Sequence, residues 1–202
     1  DIYFNETQLT AVDLATGTVA WKKVWPVQAR SLNGPAYYSG TLYVQRGNYS
    51  GDSQLWALNA QDGSTRWSAP FAAQWERYLP PTVTDTAVYV NGGSYGGMYG
   101  FNRSTGSQLF FNSTLEQYDR WTPSFYNGHP YSYVSGKLRQ HSPTTGGVLS
   151  TVSVGSSGNG RVAAIASNAA FVIDDSAYPS QLACVDLTTQ TVKWRASGGG
   201  FA

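Results

Sequence analysis

Self-similarity at a fixed period constrains this chain more than any other feature. LTAVDLATGTVAW begins at Leu9, LWALNAQDGSTRW at Leu55 and MYGFNRSTGSQLF at Met98. Two weaker copies follow, LRQHSPTTGGVLS at Leu138 and LACVDLTTQTVKW at Leu182. The starts are 46, 43, 40 and 44 residues apart. A period of this size marks a supersecondary unit that buries its faces by stacking on copies of itself. The units run over residues 1–26, 27–72, 73–115, 116–155 and 156–202.

Each copy reads as two short strands around a turn. Apolar and polar side chains alternate in the first half, the pattern of a half-buried strand. The turns are Thr16-Gly17, Asp62-Gly63, Thr105-Gly106 and Thr145-Gly146, where glycine permits a positive φ. The second half ends on an aromatic at Trp21, Trp67, Phe110 and Trp194. Ser150 and Gln190 break the pattern in the fourth and fifth copies and predict looser contacts there. Upstream lies a strand at Ile2, Leu42, Val88, Ser132 and Phe171, and before it a β-rich piece such as GPAYYS or TPSFYN. Four strands per unit, A to D from the inside out, make a propeller blade. The fold class is therefore all-β, a propeller of four-stranded antiparallel blades with about five in this chain.

The motif Leu-x-Ala-Leu/Val-Asp/Asn-x-x-Thr/Asp-Gly-x-x-x-Trp resembles the tryptophan-docking repeat of pyrroloquinoline-quinone-like (PQQ-like) propellers. That family includes quinoprotein alcohol dehydrogenases and bacterial outer-membrane assembly scaffolds. The resemblance implies that each outer-strand aromatic packs on the glycine turn of the adjoining blade, Trp21 on the Gly63 turn and Trp67 on the Gly106 turn. It also implies a seven- or eight-bladed ring. Five full units need about 216 residues by the repeat arithmetic, and the expectation is a piece of a larger propeller. Trp-Asp strand ends and regularly placed Gly-Gly pairs are missing, which sets aside the WD40 and kelch types.

An arginine recurs just ahead of strand A, at Arg30, Arg77, Arg120 and Arg161. Trp75 and Tyr78 flank Arg77, and Tyr118 and Trp121 flank Arg120. These positions are expected at one mouth of the central channel. Guanidinium groups among aromatic faces suit an anionic or sugar ligand through bidentate hydrogen bonds and stacking. The competing reading is structural, with each arginine bonding a neighbouring loop or a local carboxylate.

His129 and His141 have no serine or aspartate partner at a recognisable spacing, so no hydrolytic triad is expected. Asp174-Asp175 reads as a solvated loop pair, and no metal site is expected. The glycine-rich run at 92–97 lacks the Lys-Ser/Thr of a phosphate loop and reads as a flexible turn. Cys184 stands where other copies carry Ala11, Ala57 and Gly100, the place of a small buried residue.

Charged residues are 12% of the chain, with 13 basic against 12 acidic. No global field therefore favours nucleic acid or an anionic membrane, and no run is long enough to span one. Sequons occur at Asn5, Asn48, Asn102 and Asn112. With low charge and no cysteine pair, they point to a secreted or cell-surface glycoprotein. The favoured function is a non-catalytic scaffold that binds a protein partner or joins a larger extracellular assembly, with no cofactor. One alternative is a fragment of a PQQ-dependent dehydrogenase, which would bring PQQ and Ca2+. The other is a glycan- or anion-binding propeller using the arginine and aromatic mouth.

Overall fold

A computed structural model describes residues 7–26, 29–48, 53–73, 79–118, 120–156 and 158–197. The first unit contributes β1 (Thr7–Val12) and β2 (Val19–Trp25), and its strand at Ile2 falls outside the described residues. The second holds β3 (Ala29–Leu32), β4 (Ala36–Tyr38), β5 (Thr41–Asn48), β6 (Ser53–Asn59) and β7 (Thr65–Phe71). The third holds β8 (Thr82–Val83), β9 (Ala87–Asn91), β10 (Met98–Asn102) and β11 (Gln108–Asn112). The fourth holds β12 (Ser124–Tyr126), β13 (His129–Val134), β14 (Lys137–His141) and β15 (Val148–Ser153). After β16 (Gly160–Arg161) the fifth holds β17 (Ala164–Ala166), β18 (Ala169–Asp174), β19 (Gln181–Asp186) and β20 (Thr191–Ser197). Every paired strand is antiparallel, and sheets run in order A-B-C-D, as in β8-β9-β10-β11 and β17-β18-β19-β20.

Among the described strands one leaves its own unit. β16 pairs with β13 of the fourth blade, Tyr133 opposite Arg161, and so continues the inner edge that β12 begins. β3 and β4 share the inner edge of β5 in the same manner, but within one unit.

Strands B and C of the second, third and fourth blades are largely buried on both faces, because each packs between two others, whereas β1 of the first blade and β18 of the fifth alternate. Val88 and Val90 join Tyr43, Leu55 and Phe71 of the blade before, whereas Ala87 and Tyr89 join Trp121 and Val134 of the blade after. Among the described residues four apolar clusters result, one for each boundary between adjacent sheets. Each large side chain taken out of water contributes about 1.5–3 kcal/mol.

Strands C and D carry the same irregularity in every blade. The register slips after Ala11, Ala57, Gly100, Gln140 and Cys184. The residue before the slip faces the outer-strand position in question: Ala11 opposite Trp21, Ala57 opposite Trp67, Gly100 opposite Phe110 and Cys184 opposite Trp194. A bulge here bends strand D and re-aims its ring. Cys184 is buried, a small side chain beneath a large one.

Candidate functional site

The contacts between blades are built first by these rings. A Cβ on Gly63 would lie 2.6 Å from the Trp21 ring, and one on Gly106 would lie 2.5 Å from Trp67. The Trp21 indole N–H donates to the Ala60 carbonyl and that of Trp67 to the Arg103 carbonyl, both at 3.0 Å. Phe110 takes the same place on Gly146, where a Cβ would meet its ring at 2.3 Å. A phenyl ring has no N–H to give. The corresponding carbonyl, that of Pro143, instead accepts the Tyr89 hydroxyl at 3.3 Å. Among the described residues nothing lies within 4 Å of a Cβ on Gly17, and Trp194 is 41% exposed.

Beneath Phe110 lies a polar network that sequence spacing does not reveal. The Gly146 carbonyl accepts the Asn112 amide at 2.6 Å and the His141 Nδ1–H at 3.0 Å. With that proton on Nδ1, His141 Nε2 accepts the Ser132 hydroxyl at 2.8 Å. The pair is nine residues apart and meets only because β13 and β14 form a hairpin. Ser132 and His141 are fully buried, so the pair has no path to a substrate and serves the fold. Burial pushes His141 down to about 4, with Arg139 lowering it further and the Gly146 bond opposing.

Of the arginine and aromatic set, Arg77, Trp75 and Tyr78 lie outside the described residues. Arg30 sits at a bulge of β3 opposite β5, and its side chain also lies outside the description. The remaining four come together. Tyr118, Arg120 and Arg161 line a cleft of about 190 Å3 with Asn159 and Gly160. Trp121 lies beneath it, 1% exposed, with its ring against Gly160 and its N–H on the Tyr118 carbonyl at 2.9 Å. Arg161 gives Nε and a terminal nitrogen to one oxygen of Asp175, at 3.0 and 2.9 Å. Its charge is therefore already met by a carboxylate.

Asp174 and Asp175 are anchors rather than the solvated loop pair expected from sequence. Asp174 is buried, accepts the Ser176 amide at 3.0 Å and the Ser176 hydroxyl, and meets Arg195 Nε at 3.3 Å. Burial raises its affinity for a proton, but the Ser176 bonds and Arg195 outweigh it and hold the carboxyl below its ordinary value. Arg195 also donates to the Val154 carbonyl of the fourth blade. Tyr126 bonds Asn168 across the same boundary at 3.1 Å. These bonds cross the boundary at which Ser150 supplies no ring.

The glycine-rich run is packed rather than flexible. Its 92–97 backbone closes through Gly92 N–H to the Gly97 carbonyl at 2.9 Å around a 3-10 turn, Gly93–Tyr95. A Cβ on Gly97 would meet the Phe111 ring at 2.4 Å. Among the sequons, Asn5 and the Asn48 side chain lie outside the description. The Asn102 side-chain oxygen caps its turn through Ser104 and Thr105 amides. Asn112 is 7% exposed with its nitrogen on Gly146, so a sugar there would have to break that bond.

Among the described residues, no group of three or more His, Cys, Asp or Glu could hold a metal ion. PQQ, a planar tricarboxylate, would need an open aromatic face and uncommitted cations. At the cleft Trp121 is buried and Arg161 is already bound to Asp175, so these two residues do not supply them. No helix among the described residues is long and apolar enough to cross a membrane.

The family model described as outer membrane protein assembly factor BamB matches residues 5–124, more than half of the chain. No curated protein matches the sequence. Among solved structures, BamB from Moraxella catarrhalis is 18% identical with a TM-score of 0.68, covering 89% of this chain and 56% of that one. Quinohemoprotein alcohol dehydrogenase from Comamonas testosteroni is 13% identical with a TM-score of 0.63, covering 82% and 34%. A europium-containing methanol dehydrogenase is 13% identical with a TM-score of 0.65, covering 93% and 47%. This chain thus spans between a third and somewhat over half of the length of these proteins. At such identities the likeness is one of fold, whereas the family match rests on sequence. The chain belongs to the PQQ-like β-propeller repeat family, whose matching model is that of the assembly factor BamB.

Proposed function

We propose that this chain is a non-catalytic propeller scaffold that binds a protein partner outside the cytoplasm. The observation that carries the reading is how the side chains with chemical potential are used. His141, Asp174, Asp175, Arg161 and Arg195 are all engaged in bonds that hold strands or blades together. What remains for recognition is a rigid rim of turns and outer strands, on which a propeller presents binding groups without moving them. The low charge and the exposed Leu109, Phe111, Val148 and Leu149 suit a surface that is covered in an assembly. The secreted location and a glycan at Asn5, Asn48 or Asn102 belong to the same proposal.

The test is thermal unfolding of the protein with PQQ and Ca2+ present at saturating concentration, alongside a dye-reduction assay with primary alcohols. The scaffold reading expects an unchanged Tm and no PQQ-dependent dye reduction. A rise in Tm accompanied by turnover would replace it with the dehydrogenase reading.

A further inference from the structure

Adjacent blades leave a crevice at the end where their A–B and C–D turns gather, and two such crevices can be compared position by position. Between the second and third blades the crevice is about 310 Å3 and is lined by Tyr43, Arg66, Trp67 and Arg103. Between the third and fourth it is about 570 Å3 and is lined by Tyr89, Leu109, Phe125 and Pro143. By the repeat steps Leu109 stands for Arg66, Phe110 for Trp67 and Pro143 for Arg103. Two cations and an indole have been exchanged for smaller, uncharged groups. The second crevice is wider and more apolar as a result. Among the described residues, Asp85 is the one charged residue that lines it. Its mouth exposes Leu109 at 42% and Phe125 at 38%, the latter stacked on Tyr89 with centroids 6.0 Å apart.

The adjoining edge strands differ in the same direction. Outermost strands offer unpaired backbone groups, and charges or proline guard them against stray pairing. β2 carries Lys22 and Lys23, β7 carries Arg66 and Pro70, and β20 carries Lys193 and Arg195. β11 and β15, the outermost strands on either side of the enlarged crevice, carry neither a charge nor a proline. Among the described outer strands, the two that carry no charge or proline are the two that flank this crevice.

We propose that this crevice, together with the β11 edge, is the docking site for an extended segment of a partner protein. The segment pairs its backbone with β11 and places an aromatic or large aliphatic side chain in the crevice. Strand addition of this kind draws affinity from the backbone and specificity from the pocket. A volume of about 570 Å3 lies within the usual range for small binding pockets and exceeds the needs of one side chain. Charge fixes the flanks. Asp85 repels an acidic segment and complements a basic or neutral one. The proposal rests on the scaffold reading.

The test titrates the isotope-labelled protein, followed by NMR, with a capped peptide of alternating Thr and Val, a central Phe and a Lys at each end. Shifts are expected at the Gln108–Asn112 amides and around Phe125, and Phe→Asp in the peptide removes them. Leu109→Arg copies the residue found at the preceding boundary, at an exposed position that tolerates it. It is expected to weaken binding at least about tenfold with an unchanged Tm. The proposal is overturned if peptides centred on Phe, Leu, Tyr or Trp give no shifts up to about 1 mM. It is equally overturned if Leu109→Arg binds as the parent does. A natural complex that survives Leu109→Arg would remove this docking site and leave the scaffold reading standing. PQQ turnover would remove the scaffold reading by a separate measurement.

Discussion

At the boundary of the third and fourth blades a phenyl ring stands where the preceding blade has an indole, and the neighbours answer for the difference. Tyr89 reaches the Pro143 carbonyl in place of the missing N–H, and Asn112 and His141 both bond Gly146. The glycine is required twice over at such turns. Gly106 has φ +75° and stands against Trp67. Gly106→Ala should destabilise the protein by about 3 kcal/mol, the sum of left-handed strain and overpacking, as read by urea unfolding. His141 gives a pH dependence with a definite sign. Its folded pKa, about 4, lies below the ordinary 6.5, so the fold favours the neutral ring. Stability from this group is complete above pH 6.5 and is lost as pH falls toward 4. The loss is on the order of 3 kcal/mol, measurable as a falling Tm that His141→Gln removes.

At the scale of the element, the C–D turn is built five times with one design. An acceptor side chain opens it, Asp13, Asn59, Asn102, Ser142 or Asp186, and bonds the amides two or three residues on. The closing residue has φ between +68° and +75° where it is glycine, and Gln190 is forced to +57° in the fifth. Gln190→Gly should therefore stabilise the protein by about 0.5–1 kcal/mol, visible as a rise in Tm. Such turns are legible in sequence because every group involved lies within a few residues. The repeat and the all-β class were legible for the same reason, since period and alternation are local. The pairing of β16 with β13 was not, because it depends on how one blade meets the next. Nor were the Ser132–His141 and Arg161–Asp175 contacts, which need the register of a hairpin and the approach of two loops. Of the arginine and aromatic set, Tyr118, Arg120, Trp121 and Arg161 converge, but burial and the Asp175 bond were invisible in the spacing.

At the scale of the whole molecule, stability is a sum of blades and of the boundaries between neighbours, as in other repeat proteins. Each boundary combines an apolar cluster with a specific lock, and the locks differ in chemistry from one boundary to the next. That variation leaves the boundary of the third and fourth blades wide, apolar and flanked by unguarded edges. A rigid frame with its polar chemistry turned inward is suited to hold a partner rather than to turn over a substrate. Native mass spectrometry of the protein isolated from its natural source tests this most directly. The account predicts a stoichiometric complex with a second protein, which separates into its components on collisional activation. The chain found without a protein partner and carrying the mass of bound PQQ would contradict it.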